Sequence, residues 1–323
     1  MTNTVARVEN LQNHRQQFPA LANKAYFNFG GQGTLARPAL DAIYQGYEYL
    51  QQHGPFSTKV NGWVTQQVQQ TREAIATELG TSPETIALTE NVTAGCNIPL
   101  WGIDWERGDR ILMTDCEHPG VIATVGEISR RFQVKVAICP ILETLNSGNP
   151  ADVIEAHLTP KTRLVVLSHL LWNSGQVLPL PEIIARCRNT HTDKPLQILV
   201  DAAQSAGSLP LNLSQLGADF YAFTGHKWLC GPAGVGGVYV RPEALETLNP
   251  TAIGWRGVVQ DESGSPIGWK RGCERFEVAT SAYPLYLGLR AAIATHGSWG
   301  TARERYEQIC RNSEFLWQRL SQL

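Results

Sequence analysis

The sequence predicts an α/β protein in which a mostly parallel central sheet is covered by helices on both faces. Along the middle of the chain, short segments rich in β-branched and aliphatic residues alternate with longer helical patterns, and polar turns separate them. Each helical pattern is long enough to connect one parallel strand to the next, which places helices on both faces of the sheet. In such folds the functional loops gather at the carboxyl ends of the strands.

The individual elements follow from this alternation. The predicted strands and the helices that connect them cover, respectively, residues 110–114, 134–138, 163–167 and 197–201, and residues 119–132, 151–158 and 180–189. Two further helices are predicted within residues 37–80, around His53-Gly54-Pro55, and another at 281–298. The periodic segment 302–323 ends without a glycine cap, so we expect its apolar stripe to pack against a further C-terminal segment.

Composition argues against several classes of protein. With 323 residues, of which 43% are hydrophobic and 17% charged, the chain can form a large core and is too long for one small domain. A net charge of -2 shows no excess of basic residues of the kind that binds nucleic acid. The sequence also lacks the apolar stretches of a signal peptide or a membrane span. The seven scattered cysteines include no C-x-x-C pair, so neither a disulfide framework nor a metal site is expected. We therefore expect a cytoplasmic protein that acts on a small molecule, not on nucleic acid or a membrane.

Asp201 and Lys227 are the two residues whose chemistry is most informative. Asp201 ends a predicted strand in Val-Asp-Ala-Ala-Gln, and Lys227 lies in Thr-Gly-His-Lys. A lysine forms an imine with an aldehyde only when its amine is neutral, which burial favours, whereas an aspartate favours a cationic partner. Pyridoxal 5'-phosphate (PLP) supplies both partners, because it has an aldehyde and a ring nitrogen that an aspartate keeps protonated. The pair therefore predicts a PLP site.

An anion site is predicted where a helix begins after Asn91. Thr93, Ala94 and Gly95 lie in a turn where free backbone amides and a hydroxyl are available to a phosphate. Simple capping of the helix by Asn91 or Thr93 explains the same pattern and remains an alternative. The phosphate interpretation depends on the presence of Lys227 elsewhere in the chain.

His118 follows the predicted strand 110–114 directly and therefore lies at the same edge of the sheet as Asp201. A flat imidazole at this place can stack on the cofactor ring and exchange protons near neutral pH. A metal site formed with Asp115 and Glu117 is less favoured, because consecutive residues of an extended segment point alternate ways.

Asn173 and Gln204 are candidate ligands for the oxygen on the cofactor ring. Asn173 follows the predicted strand 163–167, and Gln204 follows Asp201 by three residues. The side-chain amide of either residue can donate to a ring hydroxyl or to its oxyanion. Each is also interpretable as a loop residue that hydrogen-bonds the backbone.

Five separated segments together resemble the class V aminotransferase group of fold-type I PLP enzymes, which includes cysteine desulfurases and isopenicillin N epimerase-like proteins. They are Phe-Asn-Phe-Gly-Gly-Gln-Gly at 27–33, Glu-His-Pro-Gly at 117–120, Ser-His-Leu-Leu-Trp-Asn at 168–173, Phe-Thr-Gly-His-Lys-Trp at 223–228 and Arg-Phe-Glu-Val-Ala-Thr-Ser-Ala-Tyr-Pro at 275–284. The resemblance extends from about Tyr26 to the last residue, and within the group the segments are most similar to cystine carbon-sulfur lyases.

The resemblance implies a division of the chain into three parts. They are an N-terminal arm at 1–35 that contributes to the active site, a large PLP-binding domain at 36–280, and helices at 281–323 that lead into a truncated C-terminal domain. In the group, the missing region supplies an arginine for the substrate carboxylate, so we expect the substrate wall to be incomplete here.

Roles for individual residues are also implied by the resemblance. Lys227 holds the cofactor through its imine, Asp201 faces the ring nitrogen, His118 stacks on the ring, and Asn173 or Gln204 reaches the ring oxygen.

For the phosphate, the resemblance implies Thr93, Thr224 and His226 as ligands. Thr280 is expected to cross the interface of a homodimer and complete the phosphate site of the other subunit. Gly31 and Arg256 are the remaining candidates for substrate contacts, although a structural ion pair is an equally good interpretation of Arg256.

The activity implied by the resemblance is α,β-elimination by a carbon-sulfur lyase, which converts L-cystine or L-cysteine to pyruvate, ammonia and a persulfide or sulfide. A sulfur-acceptor protein is a candidate partner. Three alternatives remain: a cysteine desulfurase that forms alanine and an enzyme persulfide, an aminotransferase or epimerase for another amino acid, and a PLP-binding fragment without complete catalytic machinery.

Overall fold

The structure, a computed structural model, describes residues 10–144 and 146–323. The strands are β1 (Ile86–Thr89), β2 (Arg110–Thr114), β3 (Lys135–Cys139), β4 (Thr162–Ser168), β5 (Gln197–Asp201), β6 (Phe220–Thr224), β7 (Gly236–Val240), β8 (Val258–Gln260) and β9 (Pro266–Trp269). The α-helices are α1 (Arg37–His53), α2 (Thr58–Leu79), α3 (Val92–Gly102), α4 (Pro119–Phe132), α5 (Pro150–His157), α6 (Leu180–Asn189), α7 (Leu213–Leu216), α8 (Pro242–Leu245), α9 (Tyr283–Trp299) and α10 (Ala302–Leu320). Short 3-10 helices cover Pro19–Leu21, Pro83–Thr85, Leu142–Thr144 and Cys273–Phe276. Residues 1–9, which belong to the predicted N-terminal arm, lie outside this description.

Seven strands form one sheet in the order β1-β7-β6-β5-β4-β2-β3, and β8 pairs with β9 in a separate hairpin. Strand β7 is antiparallel to both of its neighbours, and the other pairs in the large sheet are parallel. The predicted α/β fold with a mostly parallel sheet is therefore confirmed. All four predicted strands form, although that at 134–138 lies one residue later and that at 163–167 is one residue longer at each end.

The large sheet separates two buried apolar clusters. Helices α2, α5, α6 and α9 contribute to the cluster that contains Leu112 and Val165. Helices α3 and α4 contribute to the other cluster, which contains Ile111 and Val166. Because successive strand residues point to opposite faces, strands that are apolar throughout are buried on both sides. Among the described residues, no helix combines the length and apolarity that crossing a bilayer requires.

The parallel arrangement brings the carboxyl ends of four strands to one edge of the sheet. β2 ends at Thr114, β4 at Ser168, β5 at Asp201 and β6 at Thr224. Ser168 and Asp201 are paired residues of adjacent strands. These strand ends and the loops that follow them contain most of the residues predicted to bind the cofactor, so the topology gathers segments that are distant in sequence.

Candidate active site

Asp201 and Lys227 lie close enough at this edge for each to affect the charge of the other. Burial raises the pKa of Asp201, although a hydrogen bond from the backbone N–H of Ala203 at 2.9 Å and the charges of Lys227 and His118 oppose that rise. Burial lowers the pKa of the half-buried Lys227, and the carboxylate of Asp201 opposes that change. The amine is therefore in an environment that favours its neutral form, which imine formation requires.

Backbone hydrogen bonds fix the loop that contains Lys227, between β6 and β7. The N–H of Cys230 donates to the carbonyl of Lys227 at 3.0 Å, and the resulting tight turn holds Cys230 at a φ of 50°. From the other side, the N–H of Gly33 donates to the carbonyl of His226 at 2.7 Å. The N-terminal segment therefore packs directly on the loop that positions the lysine.

Gly33 leaves no room for a side chain against this loop. A Cβ at residue 33 would lie 2.1 Å from the carbonyl oxygen of Lys227, so one of the two backbones would have to move. We expect Gly33→Ala to weaken PLP binding by ~10-fold or more. The reason is that overpacking costs roughly 1–3 kcal/mol, and the added methyl group would displace the backbone at Lys227. Titration of the apoprotein with PLP, followed by the visible absorbance of the lysine-bound cofactor, measures the effect.

The matched control for this prediction is Gly126→Ala. Gly126 lies in α4, where an added Cβ meets nothing within 4 Å. Exchange of glycine for alanine at an exposed helical position is expected to leave PLP affinity unchanged and to stabilise the helix slightly. Equal PLP affinities for the two variants and the parent would contradict the proposed role of Gly33.

His118 caps the N-terminus of α4 and has a defined ring orientation. Its Nδ1 accepts a hydrogen bond from the backbone N–H of Gly120 at 3.1 Å, so the neutral ring has its proton on Nε2. The ring also meets Trp172 edge-on, with centroids 6.0 Å apart and planes inclined by 73°. Since His118 follows β2, it lies at the same edge as Asp201, as the sequence predicted.

Helix α3 is capped by Asn91, in agreement with the capping alternative. The side-chain oxygen of Asn91 accepts from the N–H of Ala94 at 3.0 Å, and its carbonyl accepts from the N–H of Gly95 at 3.1 Å. The backbone amides of these two predicted phosphate ligands therefore already have protein partners. The exposed Thr93 lies beside Gly120, with its hydroxyl 3.4 Å from the position that a Cβ on Gly120 would take. Thr93 is the best placed of the three predicted ligands for an anion.

Thr224 and His226 form a second polar pair next to the lysine. The hydroxyl of the buried Thr224 and Nδ1 of His226 are 2.7 Å apart. Burial lowers the pKa of His226, and the charge of Lys227 lowers it further. The pair therefore offers a neutral imidazole and a hydroxyl at the end of β6.

The side-chain amides of Gln204 and Asn173, which were predicted to bind the ring oxygen, differ in their hydrogen-bond partners within the protein. The side chain of Gln204 donates to the carbonyl of Gly30 at 2.9 Å and accepts from the indole N–H of Trp228 at 2.8 Å. This leaves Gln204 one further N–H for a ligand. Asn173 is exposed and lies beside the thiol of Cys116. Gln204 thus also connects the N-terminal segment to the loop of the lysine.

The predicted substrate contacts and Thr280 do not gather at Lys227 in a single chain. Gly31 lies exposed in a turn of the N-terminal segment. Arg256 and Thr280 line a separate cavity of about 600 Å³. There Arg256 lies 3.7 Å from the carboxylate of Glu277 and donates to the hydroxyl of a tyrosine at 3.2 Å, contacts typical of a structural ion pair.

Glu117 is a buried carboxyl group at the same edge, to which sequence reasoning assigned no role beyond that of an unfavoured metal ligand. Both of its oxygens contact residues at strand ends, namely Thr114 and Ser168. Burial raises the pKa of Glu117 to about 8, against the opposing hydrogen bond from Thr114. The only feature of the sequence that indicated a functional carboxyl group here was an acidic residue just after an apolar strand. The sequence could not show that Asp115 points outward and Glu117 inward.

A family model described as aminotransferase class-V matches residues 31–323. This chain belongs to the class V aminotransferase family. The match includes all the residues predicted to bind the cofactor, and it confirms the family that the five sequence segments indicated.

Two solved structures of the protein C-DES are similar over nearly the whole chain. One is a complex of the cystine C-S lyase C-DES with its reaction product cysteine persulfide, with 57% identity, a TM-score of 0.94, and coverage of 95% of this chain and 81% of that chain. The other, a C-DES mutant with glycine covalently linked to the PLP cofactor, has 57% identity, a TM-score of 0.94, and coverage of 96% and 80%. The predicted fold-type I architecture and the predicted cofactor, PLP, are confirmed.

Relatives found by sequence are more distant. Isopenicillin N epimerase of Streptomyces clavuligerus is 33% identical over 205 residues, which are 62% of this chain and 50% of that protein. A probable cysteine desulfurase of Methanothermobacter thermautotrophicus is 28% identical over 86% of this chain and 68% of that protein. The chain spans about half the length of the epimerase.

The residues at the sheet edge fit PLP chemically. Asp201 provides a buried carboxylate for a cationic ring nitrogen, and Lys227 provides a half-buried amine for the aldehyde. Hydroxyl groups of Thr93 and Thr224, which can donate hydrogen bonds to a phosphate, lie at the beginning of α3 and at the end of β6.

Proposed function

We propose that this protein is a PLP-dependent carbon-sulfur lyase that cleaves L-cystine, or L-cysteine, by α,β-elimination. The observation that supports this most is the 57% identity and TM-score of 0.94 with the cystine C-S lyase C-DES, over 95% of the chain. With cystine, the reaction breaks a Cα–H bond and a Cβ–S bond and releases cysteine persulfide. Addition of water to the remaining three-carbon unit gives pyruvate and ammonia.

Lys227 and Asp201 have the central roles in this proposal. When bound, PLP withdraws electrons from the α carbon of the substrate and so acidifies the α proton. Lys227 would hold the cofactor covalently at rest, and its neutral amine would accept the α proton of the substrate at Nζ. Asp201 would keep a proton on the ring nitrogen, and its burial would strengthen this interaction because water screens it little.

The other residues of the site bind and orient the cofactor. His118 would cover one face of the ring, with its own ring oriented by the hydrogen bond from Gly120. The remaining N–H of Gln204 would donate to the ring oxygen, with Asn173 as the alternative donor. The phosphate is held by the polar groups at the beginning of α3 and the end of β6, which are Thr93, Thr224 and His226, with the amides of Ala94 and Gly95 as weaker candidates.

Product analysis tests the proposed reaction. Purified protein loaded with PLP is expected to form pyruvate and cysteine persulfide from L-cystine in equal amounts. Alanine without pyruvate, with L-cysteine as the substrate, would replace the proposal with a cysteine desulfurase, and conversion of the cofactor to its amine form would indicate an aminotransferase. Racemised substrate would indicate an epimerase, and cofactor binding without any turnover would indicate an incomplete PLP-binding chain.

The proposed assembly is a homodimer with shared active sites. Phe56 and Trp255 are 86% and 55% exposed, and both line the 600 Å³ cavity that also contains Thr280. Large exposed apolar side chains in one cavity are typical of an interaction surface. A second copy of this chain is the proposed occupant, because Thr280 would then reach a phosphate site that it does not approach within its own chain.

Sedimentation tests the assembly. Phe56→Ser is expected to shift the protein towards the monomer and to weaken PLP binding, whereas Ile122→Ser, at a 42% exposed position on α4, is expected to change neither. A monomeric parent protein with normal PLP affinity would refute the shared site.

Three further parts of the proposal concern organisation and context. The division into an arm (1–35), a large domain (36–280) and terminal helices (281–323) is supported by the position of the large sheet within the second part. A cytoplasmic location is supported by the seven cysteines, all of which are unpaired. The outer sulfur of a persulfide product can pass to an acceptor thiol with release of cysteine, so a sulfur-acceptor protein is a proposed partner.

A further inference from the structure

The carboxyl group of Glu117 is enclosed by hydroxyl and amide groups at the carboxyl edge of the sheet. The residue is 3% exposed. Oε1 accepts hydrogen bonds from the backbone N–H of Ser168 at 3.0 Å and from the hydroxyl of Thr114, and Oε2 lies 3.0 Å from Oγ of Ser168. Within residues 10–144 and 146–323, no basic side chain forms an ion pair or hydrogen bond with this group. A buried carboxylate without a cation is unfavourable, so the neutral acid is the preferred form.

Several of the ionisable groups that interact with Glu117 are themselves acids. They are one carboxyl group and three thiols from the surrounding elements, namely Asp201 of β5, Cys96 of α3, Cys116 of the preceding turn and Cys139 of β3. Burial is the main cause that raises the pKa of Glu117 to about 8, and the negative charge of Asp201 adds to the rise. Two neighbouring buried carboxyl groups are not both ionised without a cost, so one of them keeps its proton.

The position of Ser168 connects Glu117 to the proposed catalytic groups. Ser168 is paired with Asp201 across β4 and β5. Glu117 immediately precedes His118, whose ring caps α4. The hydrogen bonds of Glu117 therefore join the turn that contains the histidine to the strand beside the aspartate.

We propose that Glu117 is a positioning residue that acts as a neutral carboxylic acid. Its proton lies on Oε2 and is donated to Oγ of Ser168, while Oε1 accepts the other two hydrogen bonds. In this form Glu117 fixes the turn before His118 and adds no second negative charge near Asp201. The inference rests on the proposed function for the identity of the cofactor, whereas the site of the proton is a property of the chain itself.

Infrared difference spectroscopy tests the protonation state directly, with and without PLP. At neutral pH, the spectrum of the parent minus that of Glu117→Gln is expected to contain the carbonyl stretch of a protonated carboxylic acid. Glu127→Gln is the matched control, because hydrogen bonds from Arg130 first, and also from Arg131, lower the pKa of the partly exposed Glu127 to about 2. Its difference spectrum should contain carboxylate bands and the bands of the glutamine amide but no carbonyl stretch of a protonated acid, and the same result for Glu117→Gln would overturn the proposal.

The pH dependence of stability is an independent test of whether Glu117 is protonated in the folded protein. A carboxyl group whose pKa is raised from 4.5 to about 8 on folding binds an extra proton in the folded state between these values. Stability contributed by this group is therefore present at low pH and is lost as the pH rises towards 8. The unfolding temperature of Glu117→Gln should fall less than that of the parent over this interval, and an identical slope would contradict the proposal.

Cofactor binding tests the positioning role. Gln reproduces the hydrogen bonds of a protonated Glu, so Glu117→Gln is expected to retain PLP affinity within ~2-fold and the pH profile of the cofactor absorbance. Glu117→Ala is expected to lose ~10-fold or more in affinity, and Ser168→Ala provides a milder change in the same direction if the alanine variant does not fold. Parent-like affinity in both alanine variants, or equal losses for Gln and Ala at residue 117, would overturn the proposal. Absence of lysine-bound PLP in the parent would refute the proposed function and leave the infrared result unaffected.

Discussion

Replacement of Lys227 by alanine is expected to abolish covalent attachment of PLP and to lower pyruvate formation from L-cystine by at least ~10³-fold, as is usual when a covalent catalytic group is removed. The reason is that one amine both holds the cofactor and accepts the α proton. Asp201 and His118 remain in place, so the variant should still bind PLP without a covalent bond. Absorbance of the lysine-bound cofactor and steady-state pyruvate formation measure the two losses.

Lys161→Ala is the matched control for the loss at residue 227. Lys161 is exposed and forms a surface ion pair with Asp193 at 2.8 Å, so its removal should leave both measurements unchanged. Borohydride reduction followed by peptide mapping should tag residue 227 in the parent protein. A tag on another lysine, or normal turnover by Lys227→Ala, would refute the central assignment.

The sheet and the position of its catalytic edge could be predicted from the sequence because local patterns determine them. The strand that ends at Asp201 has the predicted bounds, since a continuous apolar segment flanked by turns has one favourable place in a sheet covered on both faces. His118 and Asp201 then lie at one edge because parallel strands have their carboxyl ends together. The pairing of β7 antiparallel to β6 was not predicted, and this pairing determines the loop that contains Lys227.

Contacts between segments distant in sequence could not be predicted. The glycine-rich segment 27–33 was noticed as part of a family pattern, yet only the structure shows that Gly33 hydrogen-bonds the lysine loop and that Gln204 binds Gly30. The orientation of Glu117 depends on which way a single turn faces, which residue type alone does not decide. For the same reason, the capping and phosphate interpretations of Asn91 to Gly95 differ only in the direction of individual N–H groups.

Substitution of Asp201 tests the second proposed contact with the cofactor, the non-covalent one between the carboxylate and the ring nitrogen. The carboxylate is buried, and the charges of Lys227 and His118 both favour its ionised form against the effect of burial. In the bound state the proposed partner of this charge is the protonated ring nitrogen. An amide at residue 201 can accept or donate a hydrogen bond but supplies no negative charge, so the ring nitrogen should lose its proton.

Asp201→Asn is therefore expected to keep lysine-bound PLP while pyruvate formation falls by ~10²–10³-fold, the usual cost of removing one preorganised electrostatic contact. The loss should lie in kcat, because the charge stabilises electron density that develops only as the α proton leaves. Asp193→Asn, at an exposed residue, should leave kcat unchanged and serves as the control. If Asp201→Asn retained kcat within ~3-fold of the parent, an ionised partner at the ring nitrogen would not be required, and the carboxylate of Asp201 would serve only to support the fold.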